Sequence, residues 1–200
     1  MDTKLPLETD RLLLRPFAPS DFEAVHAILS REDVSTYLYW GPKSEEEVQE
    51  RLKKMIDFRS IEGPGDTLRL AMLLKANGRV IGDVVLHWRD DPHRQGYVWF
   101  VVHPDHQGKG FATEATGPLL RIAFEDLGLH RVTGHVEARN AASARVLEKL
   151  GMRREAHFVE NEFVKDEWQS ELVYAILDRE WREQKPKKAP ASSRKSAARR

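Results

Sequence analysis

The chain has 200 residues, 40% of them apolar, no cysteine, and 32 basic against 32 acidic side chains. Its length and apolar share fit one packed domain, with or without a tail, and the missing cysteines exclude disulfides, a thiol nucleophile and a thiolate metal site. No run approaches the roughly 18–20 uncharged apolar residues of a membrane span, residues 1–11 lack the pattern of a secretory signal, and a cytoplasmic location is the simplest reading.

Taken in chain order, Arg11 to Pro16 reads as a short strand. Ser20 and Glu23 form a capping-box pattern ahead of Phe22, Val25, Ile28 and Leu29 at helical spacing. Ser44 and Glu47 repeat that pattern and predict a second helix to about Phe58. Between the two lies the aromatic loop Tyr37-Leu38-Tyr39-Trp40-Gly41-Pro42. Leu68 to Lys75 and Val80 to Trp88 are predicted strands joined by Asn77-Gly78, a hairpin signal in which both central residues take positive φ. Gly96 to His103 makes a third antiparallel strand.

After the loop Pro104 to Gly110, a long helix is predicted over Phe111 to Leu127, ended by Gly128. Arg131 to Glu137 is a strand, and Asn140 caps a short helix stopped by Gly151. Two more strands fit His157 to Val164 and Trp168 to Leu177, and the pattern dissolves after Trp181. This order predicts an α/β (α+β) single domain over residues 1–182, with a mixed, mostly antiparallel sheet of about seven strands flanked by about four helices. A basic tail over residues 183–200 has the composition of disorder. Residues 185–200 hold seven basic side chains and no acid, which leaves 25 basic and 32 acidic groups elsewhere, a net of −7. That acidic body does not suit a nucleic-acid-binding domain, so the one nucleic-acid contact to consider is the tail against a ribosome.

The chemistry-bearing stretch is Gln107-Gly108-Lys109-Gly110-Phe111-Ala112, between a buried strand and a long helix. Glycines there let backbone N–H groups approach an anion, and the helix N-terminus adds unpaired donors and the positive end of its dipole. Three readings compete: a plain glycine-rich turn, a dinucleotide loop, and a phosphate loop of another kind. A Walker loop is excluded because no Gly-x-x-x-x-Gly-Lys-Ser/Thr occurs. The dinucleotide reading needs parallel βαβ units, whereas this loop follows an antiparallel meander.

Gln107-x-x-Gly110-x-Ala112, after Val101-Val102-His103-Pro104, resembles the pyrophosphate loop of the GNAT acetyltransferase superfamily. The block Asn140 to Met152 is similar to the Asn-x-x-Ser helix of the branch that holds the ribosomal-protein N-terminal acetyltransferases. Thr9-Asp10-Arg11-Leu12-x-Leu14-Arg15 and the late Leu172, Tyr174, Glu180 and Trp181 also resemble that branch, so the likeness spans residues 7–182. It implies acetyl-CoA as co-substrate, lying where the strands Gly96–His103 and Arg131–Glu137 part. Backbone groups of Val101, Val102 and His103 would hold the pantetheine arm, and Gln107, Gly108, Lys109, Gly110, Phe111, Ala112 and Thr113 the pyrophosphate. Asn140 would bind the arm as well as cap its helix, and Ser143 would protonate the departing thiolate.

The branch's strand glutamate, ten residues before the loop Gln, is Tyr97 here, and its neighbouring glycine is Trp99. The general base is therefore open among Glu137, His135, His157, Glu160 and water. A protein α-amine, with pKa about 7.7–8.0 against about 10.4 for lysine, asks less of a base. Tyr39, Trp40, Trp88, Trp99 and Trp168 are the candidate lining of the acceptor pocket. No metal site is expected, since His103 and His106 straddle Pro104 with no carboxylate cluster beside them. Three functions remain: acetylation of a protein N-terminus, acetylation of a small amine (amino acid, polyamine or drug), and non-catalytic acyl-CoA binding. Self-association as a homodimer is an expectation by analogy with the family.

Overall fold

The structure, a computed structural model, describes residues 5–89 and 92–184. Eight strands form one sheet in the order β1-β2-β3-β4-β5-β6-β8-β7. They are β1 (Leu7–Glu8), β2 (Leu12–Arg15), β3 (Thr67–Leu74), β4 (Val80–Trp88), β5 (Gln95–Val102), β6 (Arg131–Glu137), β7 (Arg153–Val164) and β8 (Glu167–Leu177). Neighbours are antiparallel except β5 and β6. The helices are α1 (Phe22–Leu29), α2 (Glu32–Ser35), α3 (Glu45–Asp57), α4 (Phe111–Arg121), α5 (Ala141–Lys149) and α6 (Asp178–Gln184). No helix among the described residues is long and apolar enough to cross a membrane.

Helices cover both faces of the sheet, which explains why β3 reads as a nearly continuous apolar run rather than an alternation. Leu68, Leu70 and Met72 pack on one face with Leu119, Leu120 and Phe124. Ala71 and Leu73 pack on the other with Val25, Ile28, Leu29, Val48, Leu52 and Met55. One ion pair is sunk into the second face: Arg69 Nε donates to Asp83 Oδ2 at 2.7 Å, with both side chains 6% exposed. The Arg69 guanidinium also lies 5.0 Å from the centroid of the Trp99 ring.

The mixed sheet and the flanking helices agree with the sequence reading, and β4 and β6 have the expected bounds. Several local expectations are corrected. The Ser20–Glu23 capping box is replaced by a turn of 3-10 helix, Pro19–Asp21, and buried Asp21 fixes it by accepting from Ala18 N–H at 2.8 Å and pairing with Arg15. The Ser44–Glu47 box does form. Of the hairpin pair only Gly78 takes a positive φ, 70°, because its N–H reaches back to Leu74 O at 2.8 Å in a wider turn. The helix expected to run to Leu127 changes to π-helix over Ile122–Asp126. β1, α2 and α6 were not expected. They are short elements stabilised by what they pack against rather than by their own pattern. The tail expected from residue 183 falls, from residue 185 on, outside the described residues.

Gly134 fixes the spacing between β6 and α5. A Cβ there would come within 2.7 Å of both Leu147 methyl carbons. Gly134→Ala is expected to cost about 1–3 kcal/mol through overpacking. Gly117→Ala, in the middle of α4 with no neighbour within 4 Å, is expected to stabilise by about 0.4–1 kcal/mol. Urea midpoints at unchanged m-value check both.

Candidate active site

Pairing between β5 and β6 stops after Gln95↔Arg131, Gly96↔Val132 and Tyr97↔Thr133. Beyond that, β5 stays with β4 as far as Val102 and β6 stays with β8 as far as Glu137. The strands therefore diverge, and two cavities meet in the gap. Both are lined by Tyr37, Leu38, Phe100, Asn140 and Ser143.

The first cavity, about 400 Å³, runs from Phe100, Val101 and Val102 to Gln107, Gly108, Gly110, Phe111, Ala112 and Thr113, with Arg145 and Lys149 on α5. Gly108 and Gly110 take φ of 71° and 83°, which glycine adopts without strain. The first ladder bond of α4 runs from Glu114 N–H to Gly110 O at 3.0 Å, so the N–H groups of Phe111, Ala112 and Thr113 precede the ladder. The Thr113 hydroxyl is buried with no hydrogen-bond partner among the described residues. Free donors, an orphaned hydroxyl and a helix N-terminus suit a bound pyrophosphate. The residues present thus fit the phosphate end of acetyl-CoA.

This loop is held from outside the cavity. Arg11 donates from Nη1 to Lys109 O at 3.0 Å, and its guanidinium lies 4.3 Å from the Phe111 ring centroid. Its Nε donates to Glu114 Oε2 at 2.7 Å. Glu114 Oε1 also accepts from Thr9 Oγ at 2.6 Å and from Arg11 N–H at 2.8 Å. Partial burial alone would raise the Glu114 pKa. The hydrogen bonds from Thr9 and Arg11 outweigh it and hold the carboxyl below its ordinary value.

The second cavity, about 600 Å³, is lined by Tyr39, Trp40, Tyr97, Trp99, His135, Glu137, Glu162 and Glu171, and by no lysine or arginine among the described residues. Burial pushes the Tyr97 phenol up. Burial, then a hydrogen bond to Glu162 and the charges of Glu162 and Glu171, push Tyr39 well up. His135 Nδ1 lies 3.0 Å from Glu171 Oε1. Glu137 is engaged by Arg139, accepting from its N–H at 3.0 Å and its Nε at 2.8 Å.

The residues picked from sequence divide accordingly. Val101, Val102, Gln107, Gly108, Gly110, Phe111, Ala112, Thr113, Asn140 and Ser143 line the first cavity. His103 and Lys109 do not. His103 is buried and its Nδ1 accepts from Asp105 N–H at 3.2 Å, while Lys109 Nζ donates to Asp105 O at 2.7 Å. Gln107 Nε2 donates to Val102 O at 2.9 Å and so ties the loop to β5. Asn140 Oδ1 accepts from Ser143 N–H at 3.0 Å, which is the capping role. Tyr39, Trp40 and Trp99 line the second cavity, and Trp88 and Trp168 do not. Trp88 packs against the main core, and Trp168 is 61% exposed beside Phe163 near the β7–β8 turn. Of the four candidate bases, His157 and Glu160 lie outside the cavity. Glu162 and Glu171 escaped the sequence reading because a shift in the β7–β8 register between Phe158 and Glu162 decides which side chains reach the cleft. Glu114 escaped it because its partners are about a hundred residues away.

A glycine loop at a helix N-terminus and a second cavity, meeting where two parallel strands part, fit a CoA-dependent acyltransferase. The chain belongs to the GNAT acetyltransferase family: its residues 11–153 match the Acetyltransferase (GNAT) domain. It is 32% identical over 176 residues to the uncharacterized N-acetyltransferase YnaD of Bacillus subtilis, covering 88% of this chain and 98% of that one. Among solved structures it resembles a GNAT-family acetyltransferase from Bacillus anthracis, with 31% identity and a TM-score of 0.76 over 86% of this chain and 98% of that one. It also resembles the spermidine N-acetyltransferase of Vibrio cholerae in complex with CoA and spermine, with 26% identity and a TM-score of 0.72 over 86% of this chain and 99% of that one. The protein is thus an acetyl-CoA-dependent N-acetyltransferase acting on an amine.

Glu114→Gln is expected to weaken acetyl-CoA binding roughly ten-fold, since it loosens a charge-assisted clamp worth about 1.5–3 kcal/mol. Titration calorimetry measures it. Because the folded pKa is depressed, the clamp's contribution is full above the ordinary glutamate value and is lost as pH falls through the lowered one. The difference between wild type and variant should vanish over that acid window.

Proposed function

We propose that the protein acetylates a small amine carrying more than one positive charge, with acetyl-CoA in the first cavity and the amine in the second. The observation that carries this reading is the second cavity's lining: three glutamates, Glu137, Glu162 and Glu171, and, among the described residues, no basic side chain other than His135. Among the described residues no ion pair engages Glu162. A polyamine places one ammonium near such carboxylates while another nitrogen reaches the thioester. Charges about 4 Å apart near a protein surface attract by about 4 kcal/mol at an effective dielectric of 20, before desolvation costs. The Vibrio cholerae relative, whose structure holds CoA and spermine, supports the same class of acceptor.

The step is a direct attack of amine nitrogen on the thioester carbon, with the reactants aligned across the rim that the cavities share. Ser143 sits on that rim. In this reading its hydroxyl gives a proton to the departing sulfur.

Thiol release from acetyl-CoA tests the reading against a panel of diamines, triamines, monoamines and peptides with free N-termini. The expected order puts polyamines first, with Glu162→Gln raising KM for the triamine about ten-fold and leaving KM for acetyl-CoA unchanged. Ser143→Ala should lower kcat by about 100-fold. Turnover of peptide N-termini with no turnover of polyamines would reject the polyamine reading in favour of the protein-acceptor expectation raised by the branch resemblance.

A further inference from the structure

We infer that His135, oriented by Glu171, is the general base of the reaction and replaces the carboxylate that the family pattern places at Tyr97. The inference rests on the proposed acyl transfer in this cleft, but not on which amine enters it.

The placement follows from register. Tyr97 on β5 is paired with Thr133 on β6. His135 is two residues further along β6, on the same face, because strand side chains alternate with period two. It therefore stands beside the vacated position, at the point where the strands begin to part, and it lines the acceptor cavity. Its Nδ1 lies 3.0 Å from Glu171 Oε1 on β8. An ionised carboxylate only accepts hydrogen bonds, so in the neutral imidazole Nδ1 carries the proton and Nε2 is the unprotonated nitrogen. A carboxylate holding one imidazole nitrogen so that the other can take a proton is a recurrent arrangement of general bases.

The other groups around the cavity are worse placed for this role. Glu137 is engaged twice by Arg139. Tyr97 and Tyr39 are pushed upward by burial and stay protonated near neutrality. Glu162 is the hydrogen-bond partner of Tyr39. Glu171 is the group that orients His135 and so acts as a positioning residue.

In the step, His135 Nε2 takes one proton from the substrate ammonium, and the freed lone pair attacks the thioester carbonyl. The C–S bond then breaks. The second proton lost by nitrogen ends on the CoA sulfur through the Ser143 hydroxyl, which gives one proton and receives one. His135 returns its proton to solvent. The products are the amide, free CoA thiol and one released proton.

The titratable groups that line the cavity with His135 are Glu171 on β8, Glu162 on β7, Glu137 on β6, Tyr97 on β5, and Tyr37 and Tyr39 in the aromatic loop. His135→Gln is expected to lower kcat/KM for the amine by about 100-fold at pH 7, with the acetyl-CoA Kd unchanged by calorimetry. Substitution should change the pH dependence of kcat/KM, since the variant has only the amine's own ionisation to rely on. In His135→Gln, kcat/KM should rise with unit slope to the pKa of the amine itself. Imidazole in the buffer should restore part of the rate to His135→Ala. Glu171→Gln should lower kcat about ten-fold with the acetyl-CoA Kd unchanged, and Glu171→Asp should restore part of it, which a merely structural role would not do. His157→Gln, outside the cavity, serves as the control and should match wild type. A His135→Gln rate within two-fold of wild type, with the same pH profile, overturns the assignment. The variants are assayed with whichever amine the wild type turns over best, peptide or polyamine. A wrong acceptor class and a wrong base thus give different results.

Discussion

The whole site depends on a parallel contact that ends early. β5 and β6 share only three residue pairs before each strand follows its antiparallel partner on the other side. A sheet twists as it extends, and at a lone parallel junction nothing on the far side of Tyr97 and Thr133 pulls the strands back together. The gap is kept by what fills its rims. Gly134 lets α5 lie close to β6, Asn140 starts that helix at the cleft, and Gln107 ties the loop to the end of β5. Asn140 and Ser143 come to border both cavities because α5 crosses the mouth of this gap.

The two sides of the gap carry opposite electrostatics. On one side the N-terminus of α4, two left-handed glycines and the basic residues Arg145 and Lys149 favour an anion. On the other, glutamates from three different strands, β6, β7 and β8, converge on a cavity walled by aromatic rings. The two ends of one opening thus differ in charge, the first suited to an anion and the second to a cation. The buried Arg69–Asp83 pair lies under Trp99. Removing either partner would leave an uncompensated buried charge beneath the wall of the second cavity, at a cost of about 3–5 kcal/mol. The aromatic floor is therefore tied to the stability of the β3–β4 ladder.

Features carried by short stretches were legible in the sequence. The Ser44 capping box, the Asn140 cap, the glycine loop and the strands β4 and β6 each depend on residues within one turn or one run. Where the reading missed, a longer-range interaction had taken over. Asp21 displaced Ser20 because Arg15 pairs with it. Lys109 looked like a phosphate ligand, yet it folds back on the Asp105 carbonyl. Trp88 and Trp168 have the composition of pocket lining, but strand direction and the hairpin end send them elsewhere.

By itself the sequence determined the class of fold, the glycine loop and the helix that borders it, because each is encoded by local spacing: glycines where the backbone turns left-handed, caps where helices begin, apolar runs where both faces of a sheet are covered. Only the tertiary structure decided which side chains share a cavity. His135 meets Glu171 through the β6–β8 register, Glu162 reaches the cleft through a shift in β7, and Arg11 clamps a loop about a hundred residues away. Those contacts join residues distant in the chain. Their partners are set by strand register and helix packing, which a one-residue slip would change completely.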